Sequence, residues 1–134
     1  MSYLLDTNVC IQFLRQRHAG VVRRIQSHQP SELRLCSIVV AELYYGSERS
    51  AQAALNRTKV DAFVLPYVCL PFDDDAARTQ ARIRRHLETV GTPIGPYDSQ
   101  IAAIALVHGL TLVTHNTTEF GRVPGLQAED WEAP

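Results

Sequence analysis

Along this chain, short runs of consecutive apolar residues alternate with longer stretches in which apolar positions recur every three or four residues. Tyr3-Leu4-Leu5 predicts a strand stopped by Asp6, and Thr7 to Arg15 a helix with Val9, Ile11 and Phe13 inward. Ala19–His28 reads as a basic second helix closed by Pro30. Leu33–Cys36 is a strand; Ser37 is placed to cap a helix running to Gly46, whose glycine suits a C-terminal cap. Ala51–Phe63 predicts a helix and Tyr67–Leu70 a strand between Pro66 and Pro71. Asp73-Asp74-Asp75 opens a long helix whose Ala76, Gln80, Ile83, Leu87 and Val90 form an amphipathic stripe. After a turn-rich break at Gly91–Pro96, Ser99–His108 is an almost wholly apolar helix ended by Gly109, and Thr111–Thr114 is a strand. The tail reads as turns over Gly121–Gly125 and a short segment ending at Trp131.

The predicted strands are apolar throughout rather than at every second position, which is the mark of a parallel sheet covered on both faces. The expectation is an α/β/α sandwich with a central parallel sheet, one domain over residues 1–134 with no repeat or linker. Hydrophobic residues at 46% and charged residues at 20% fit a packed domain rather than a disordered chain. No apolar run is long enough to span a bilayer, and the opening residues lack the basic region of a signal peptide. Cys10, Cys36 and Cys69 all have apolar neighbours and predict reduced, core-packed thiols in a cytoplasmic protein. A formal net charge of −1 does not announce a nucleic-acid binder. Twelve of the thirteen basic residues are arginines, whose planar fork suits phosphate, but a solvated arginine-rich surface would look the same.

The chemistry is carried by the acids. In an open parallel sheet, ligands bind at the carboxyl ends of the strands. Asp6 follows the first strand, Glu42 lies in the second turn after the Leu33–Cys36 strand, Asp98 begins the apolar helix, and Asn116 and Glu119 follow the last strand. Asp6 and Asp98 could each serve as helix caps. Glu42, within Val39-Val40-Ala41-Glu42-Leu43-Tyr44, is a carboxylate in an apolar run and needs a partner or a metal. Asp73–Asp75 is read as a favourable first helical turn rather than a metal cluster. The five histidines lack zinc-ligand spacing, so gathered carboxylates point to a hard cation, Mg²⁺ or Mn²⁺, and to phosphoryl transfer.

The same positions carry a family resemblance. Tyr3-Leu4-Leu5-Asp6-Thr7-Asn8, Ala41-Glu42-Leu43-Tyr44-Tyr45-Gly46, Pro96-Tyr97-Asp98-Ser99-Gln100-Ile101-Ala102-Ala103 and Leu112-Val113-Thr114-His115-Asn116-Thr117-Thr118-Glu119-Phe120 resemble, in order and spacing, the four motifs of PIN domains. The tail, Arg122–Leu126 with Glu129-Asp130-Trp131, is similar to that of VapC toxins. The resemblance implies a Mg²⁺-dependent endoribonuclease acting on single-stranded RNA, in many relatives a tRNA anticodon loop. It further implies a homodimer neutralised by a VapB-type antitoxin, with promoter DNA bound only through that complex. Asp6, Glu42 and Asp98 match the metal-binding and catalytic acids, Thr7 and Asn8 flank the first of them, and Thr114 matches a hydroxyl that orders the site. Asn116 stands where many relatives have a fourth aspartate, so Asn116 or Glu119 would complete the set and one metal is the expectation. The alternative is a PIN-like module that binds RNA or a protein without cutting. A phosphorylated-aspartate protein is a further rival, but it needs a lysine at the phosphoryl group, and Lys59 lies in a polar helical stretch away from the strand ends.

Overall fold

Three leucine- and valine-rich strands carry the centre of the molecule. The computed structural model describes residues 1–134, and in it β1 (Tyr3–Leu5), β2 (Leu33–Cys36) and β4 (Thr111–Val113) lie side by side. With β3 (Val68–Leu70) and β5 (Ala128–Glu129) they form a five-stranded, wholly parallel sheet in the order β3-β2-β1-β4-β5. Leu4 pairs with Leu112 and Leu5 with Val113, and all four are fully buried. Such strands need cover on both faces, which the helices supply.

The helices are α1 (Thr7–Leu14), α2 (Ala19–Ser27), α3 (Ser37–Arg49), α4 (Ala53–Val64), α5 (Asp74–Thr89), α6 (Pro96–Val107) and the single turn α7 (Thr117–Phe120). In α6, Ile101, Ala102, Ala103, Ile104 and Ala105 are all fully buried, so this helix is core all round. It packs against α5, and Gln80 of α5 donates to the Ser99 hydroxyl at 3.0 Å, one residue past Asp98. Gly109 adopts φ +63°, a left-handed conformation that glycine reaches without a Cβ clash, and so closes the helix where the sequence placed its end.

Several expectations shift. α3 continues through Gly46 to Arg49; Ser37 is its first residue, and the serine hydroxyl accepts from Phe72 N at 3.2 Å instead of capping the helix. α6 begins at Pro96, three residues early, because proline suits the first helical position and Gly95 serves as the cap residue. β3 is an edge strand with a single neighbour: Val68 is 56% exposed and Cys69 is exposed, while Cys10 and Cys36 are buried as expected. Val90 lies beyond α5 and is exposed, so the stripe ends at Leu87. The tail contributes a fifth strand, pinned by the buried Trp131, whose ring stacks on His28 and meets Tyr3 edge-on. No helix is long and apolar enough to cross a membrane.

The strand order places a switch point between β1 and β4. The chain leaves β1 towards β2 on one side, while β4 arrives on the other, which is where an open α/β sheet leaves a crevice at the carboxyl ends of its strands.

Candidate active site

Asp6 and Thr114 are the residues that follow β1 and β4, and both face that crevice. Asp6 is 5% exposed and Thr114 fully buried. Asp6 Oδ1 accepts from Thr7 N at 2.7 Å, so Asp6 does cap α1. Its other oxygen, Oδ2, accepts from the Thr114 hydroxyl at 2.8 Å, a contact between residues 108 positions apart. The same hydroxyl accepts from Asn116 N at 3.0 Å, so Thr114 fixes both the first acid and the turn into α7. Burial nonetheless raises the Asp6 carboxyl above its usual range, against the lowering effect of these hydrogen bonds, with Glu42 and Glu119 adding repulsion.

The other acids arrive on three helices. Glu42 projects from α3 and is half-buried; its Oε1 accepts from the Thr7 hydroxyl at 2.8 Å. Glu119, in α7, accepts from the Asn116 side-chain amide at 2.7 Å and from Gly95 N at 3.3 Å. Asp98 sits in the first turn of α6, and its carboxyl is pushed up to about 6. Burial is the largest cause, followed by the charges of Asp6, Glu119 and Glu42 and a hydrogen bond with Glu119. Asp98 therefore feels every other acid of the group. All six residues singled out in the sequence (Asp6, Glu42, Asp98, Thr114, Asn116 and Glu119) meet at one sheet edge.

Asp73–Asp75 take no part: Asp73 caps α5 through Ala76 N at 2.9 Å, and Asp75 pairs with Arg78 on the surface. Two contributors were not assigned a task from sequence. The Thr7 hydroxyl engages Glu42, and the Gly95 backbone N–H engages Glu119. The first could have been suspected from a threonine directly after the first acid; the second depends on the turn before α6 and leaves no side-chain signal.

A match to the PIN domain model extends over residues 3–126, which takes in both strands of the switch point and every acid of the site. The chain belongs to the PIN-domain family. It is 38% identical over 131 residues to the tRNA(fMet)-specific endonuclease VapC of Shigella flexneri, covering 98% of both chains. Among solved structures, it superposes with a TM-score of 0.91 on DNA-bound VapBC from Salmonella typhimurium, at 37% identity and 98% coverage of each chain. VapBC2 from Rickettsia felis, bound to a fragment of its promoter, matches with a TM-score of 0.89 and 31% identity over 98% of this chain and 99% of that one.

PIN-domain nucleases generally use a divalent metal, and the donors of this PIN domain fit one. They are oxygen atoms throughout, the ligand type that hard cations take. The charges of Asp6, Glu119 and Glu42 add to burial in raising the Asp98 carboxyl, and a divalent cation would relieve that repulsion. No three acidic, histidine or cysteine side chains are gathered closely enough to hold an ion by themselves. Glu42 is instead engaged by Thr7. A cation held by two acids would fill its remaining positions with water or substrate oxygen, as Mg²⁺ commonly does.

Proposed function

We propose that this chain is a Mg²⁺-dependent endoribonuclease, the toxin of a VapBC-type pair, which cuts single-stranded RNA of the tRNA class. The observation that supports it most is the meeting of four carboxylates at the β1/β4 switch point of a PIN domain, with Asp98 under the influence of the other three. Asp6 and Asp98 would hold the ion, Mg²⁺ or in its place Mn²⁺. Bound there, a divalent cation supplies charge neutralisation at the scissile phosphate and makes water more acidic.

The protein's own groups do the rest. Thr114 and the Thr7 backbone N–H fix the two oxygens of Asp6 in orientation, and each oxygen keeps a further lone pair with which it could meet a cation. Glu42, steadied by Thr7, is the group to orient the attacking water and take its proton. Asn116 is a neutral amide, but it donates to Glu119, so the pair presents one acid where many relatives have an aspartate. In-line attack on phosphorus with departure of the 3′ oxygen would leave 5′-phosphate and 3′-hydroxyl ends.

The relatives crystallised as VapBC complexes, two of them on DNA, support a VapB-type antitoxin as partner, with promoter contact made through that complex. A homodimer in the cytoplasm completes the reading. Incubating the purified protein with end-labelled tRNA, in Mg²⁺ and in EDTA, tests it. We expect discrete cuts with 5′-phosphate ends in Mg²⁺ alone. RNA that is bound but left whole under both conditions would favour a non-cutting PIN module.

A further inference from the structure

Beside the acids lies a trough that the cleavage reaction itself does not explain. A groove of about 910 Å³ starts at Thr7 and Glu42 and runs between α1 and α3. A second, of about 460 Å³, continues from Glu42 along α3 to α4. The two share Ile11, Arg15, Glu42, Gly46 and Ser50, so they form one continuous surface leading away from the site.

Its charge is one-sided. Arg15, Arg17, Arg49 and Lys59 line it, all exposed and none in an ion pair, whereas Arg57 and Arg78 elsewhere have carboxylate partners. Glu42, at the end nearest the active site, is the only acid on its walls. This arrangement fits a polyanion whose one end reaches the acids.

Its aromatics are exposed as well. Tyr45 and Tyr97 are 63% and 60% exposed, and both line the wider groove, with Tyr97 directly preceding Asp98. The Arg49 guanidinium lies 5.5 Å from the centre of the Tyr45 ring. Exposed rings beside free arginines are what unpaired bases stack on; a duplex, with its bases already stacked, cannot use them.

The floor of the trough is bare. Gly46 lies inside α3, where glycine is a poorer helix former than alanine. Nothing stands within 4 Å of where its Cβ would be, and its φ is not positive, so neither packing nor backbone geometry calls for glycine here. What the missing side chain leaves is room.

We propose that this trough seats the single-stranded RNA segment adjoining the scissile phosphate. Tyr45 and Tyr97 stack its bases, Gly46 lets the strand lie close to α3, and Arg15, Arg17, Arg49 and Lys59 neutralise the phosphates further out. The proposal rests on the RNA-cutting reading but is tested by binding rather than by cutting.

The measurement is fluorescence anisotropy of a labelled single-stranded oligoribonucleotide of about 12 nucleotides, in EDTA, across a salt series. Arg15→Gln with Arg49→Gln should lower the slope of log affinity against log salt by roughly 1.4, at about 0.7 per phosphate contact on a single strand. Tyr45→Ala and Tyr97→Ala should each weaken the single strand by about tenfold while leaving a duplex of the same sequence unaffected. Gly46→Leu should raise the melting temperature, since it adds a helix former in open space, and still lose RNA. Arg84→Gln, on α5, is the control and should change nothing. Unchanged affinity and slope across the trough variants would overturn the proposal. Equal losses for single strand and duplex would also overturn it, as would variants that keep RNA but no longer bind the antitoxin, since the trough would then belong to a protein partner. If the trough variants lose RNA while wild type in Mg²⁺ cuts nothing, the RNA site stands and the nuclease reading falls.

Discussion

Thr114 shows how much one hydroxyl can carry. Fully buried, it donates to Asp6 and accepts from Asn116 N, so it ties the first acid to the turn that presents Glu119. Thr114→Val keeps the shape and removes both bonds, leaving a buried carboxylate oxygen without its donor. We expect a stability loss of about 1–3 kcal/mol and at least about a tenfold drop in cleavage, with Thr114→Ser restoring most of both. Equal activity in the valine and serine variants, at equal stability, would show that the hydroxyl orders nothing. Asp98 makes the opposite case, a residue whose charge works against the fold. Its carboxyl ordinarily titrates near 3.8 and is pushed up to about 6 in the folded protein. The folded state therefore binds more protons than the unfolded one between those values, and its stability falls as pH rises through them. Without metal, wild-type protein should melt at a lower temperature near neutral pH than at about pH 5, as far as this group contributes. Asp98→Asn should melt higher than wild type at neutral pH in EDTA, and Mg²⁺ should narrow the gap. Calorimetry at the two pH values, with and without Mg²⁺, reads both effects.

At the level of elements, the acids at the start of α5 test whether charge near charge implies function. Asp73 caps the helix, Asp74 and Asp75 lie in its first turn, and the Asp75–Arg78 pair is well exposed, so it contributes little. Asp74→Ala with Asp75→Ala should cost no more than about 1 kcal/mol in chemical denaturation and leave RNA cleavage at the wild-type rate. A folded double variant without activity would give these acids a part in catalysis. Elements with strong periodicity or an all-apolar run were legible from sequence: β1, β2, β4, the stripe of α5 and the core of α6. Their boundaries were less so: Gly46 lies inside a helix rather than at its end, and Pro96, read as part of a turn, opens one. β5 and α7 left no pattern, since two and four residues are too short to show a period; β5 is placed by its pairing with β4. β3 looked like a buried strand because its residues are apolar; only its place at the edge of the sheet leaves Val68 and Cys69 exposed.

For the molecule as a whole, parallel topology turns distant segments into one site. Asp6, Glu42, Asp98 and Glu119 come from four parts of the chain, and their placement after strands or in the first two turns of helices was visible in sequence. Their mutual distances were not, because Thr7's hold on Glu42 and Gly95's on Glu119 depend on how the helices pack. The tail has a structural share in this assembly: β5 extends the sheet beside β4, and Thr114 N donates to Glu129 O at 2.9 Å, next to the site. Trp131, which is 2% exposed, fastens that strand against Tyr3 and His28. Trp131→Ala should cost about 3 kcal/mol or more, and hydrogen exchange should show protection lost first at Thr114 and Glu129. Protection unchanged there would mean that the strand holds without its anchor.

The central claim is that the carboxylate group at the switch point cuts RNA with a divalent metal, and Asp98→Asn tests it most directly. The amide is nearly isosteric, so the fold should survive, while the charge that would hold the cation is removed. Wild type and Asp98→Asn, both shown folded by circular dichroism, are compared on the same single-stranded RNA in Mg²⁺, with a parallel series in EDTA. The account predicts cleavage by wild type in Mg²⁺ alone, ends bearing 5′-phosphate, and no cleavage by the variant. Cutting at the wild-type rate by folded Asp98→Asn, or by wild type in EDTA, would contradict it.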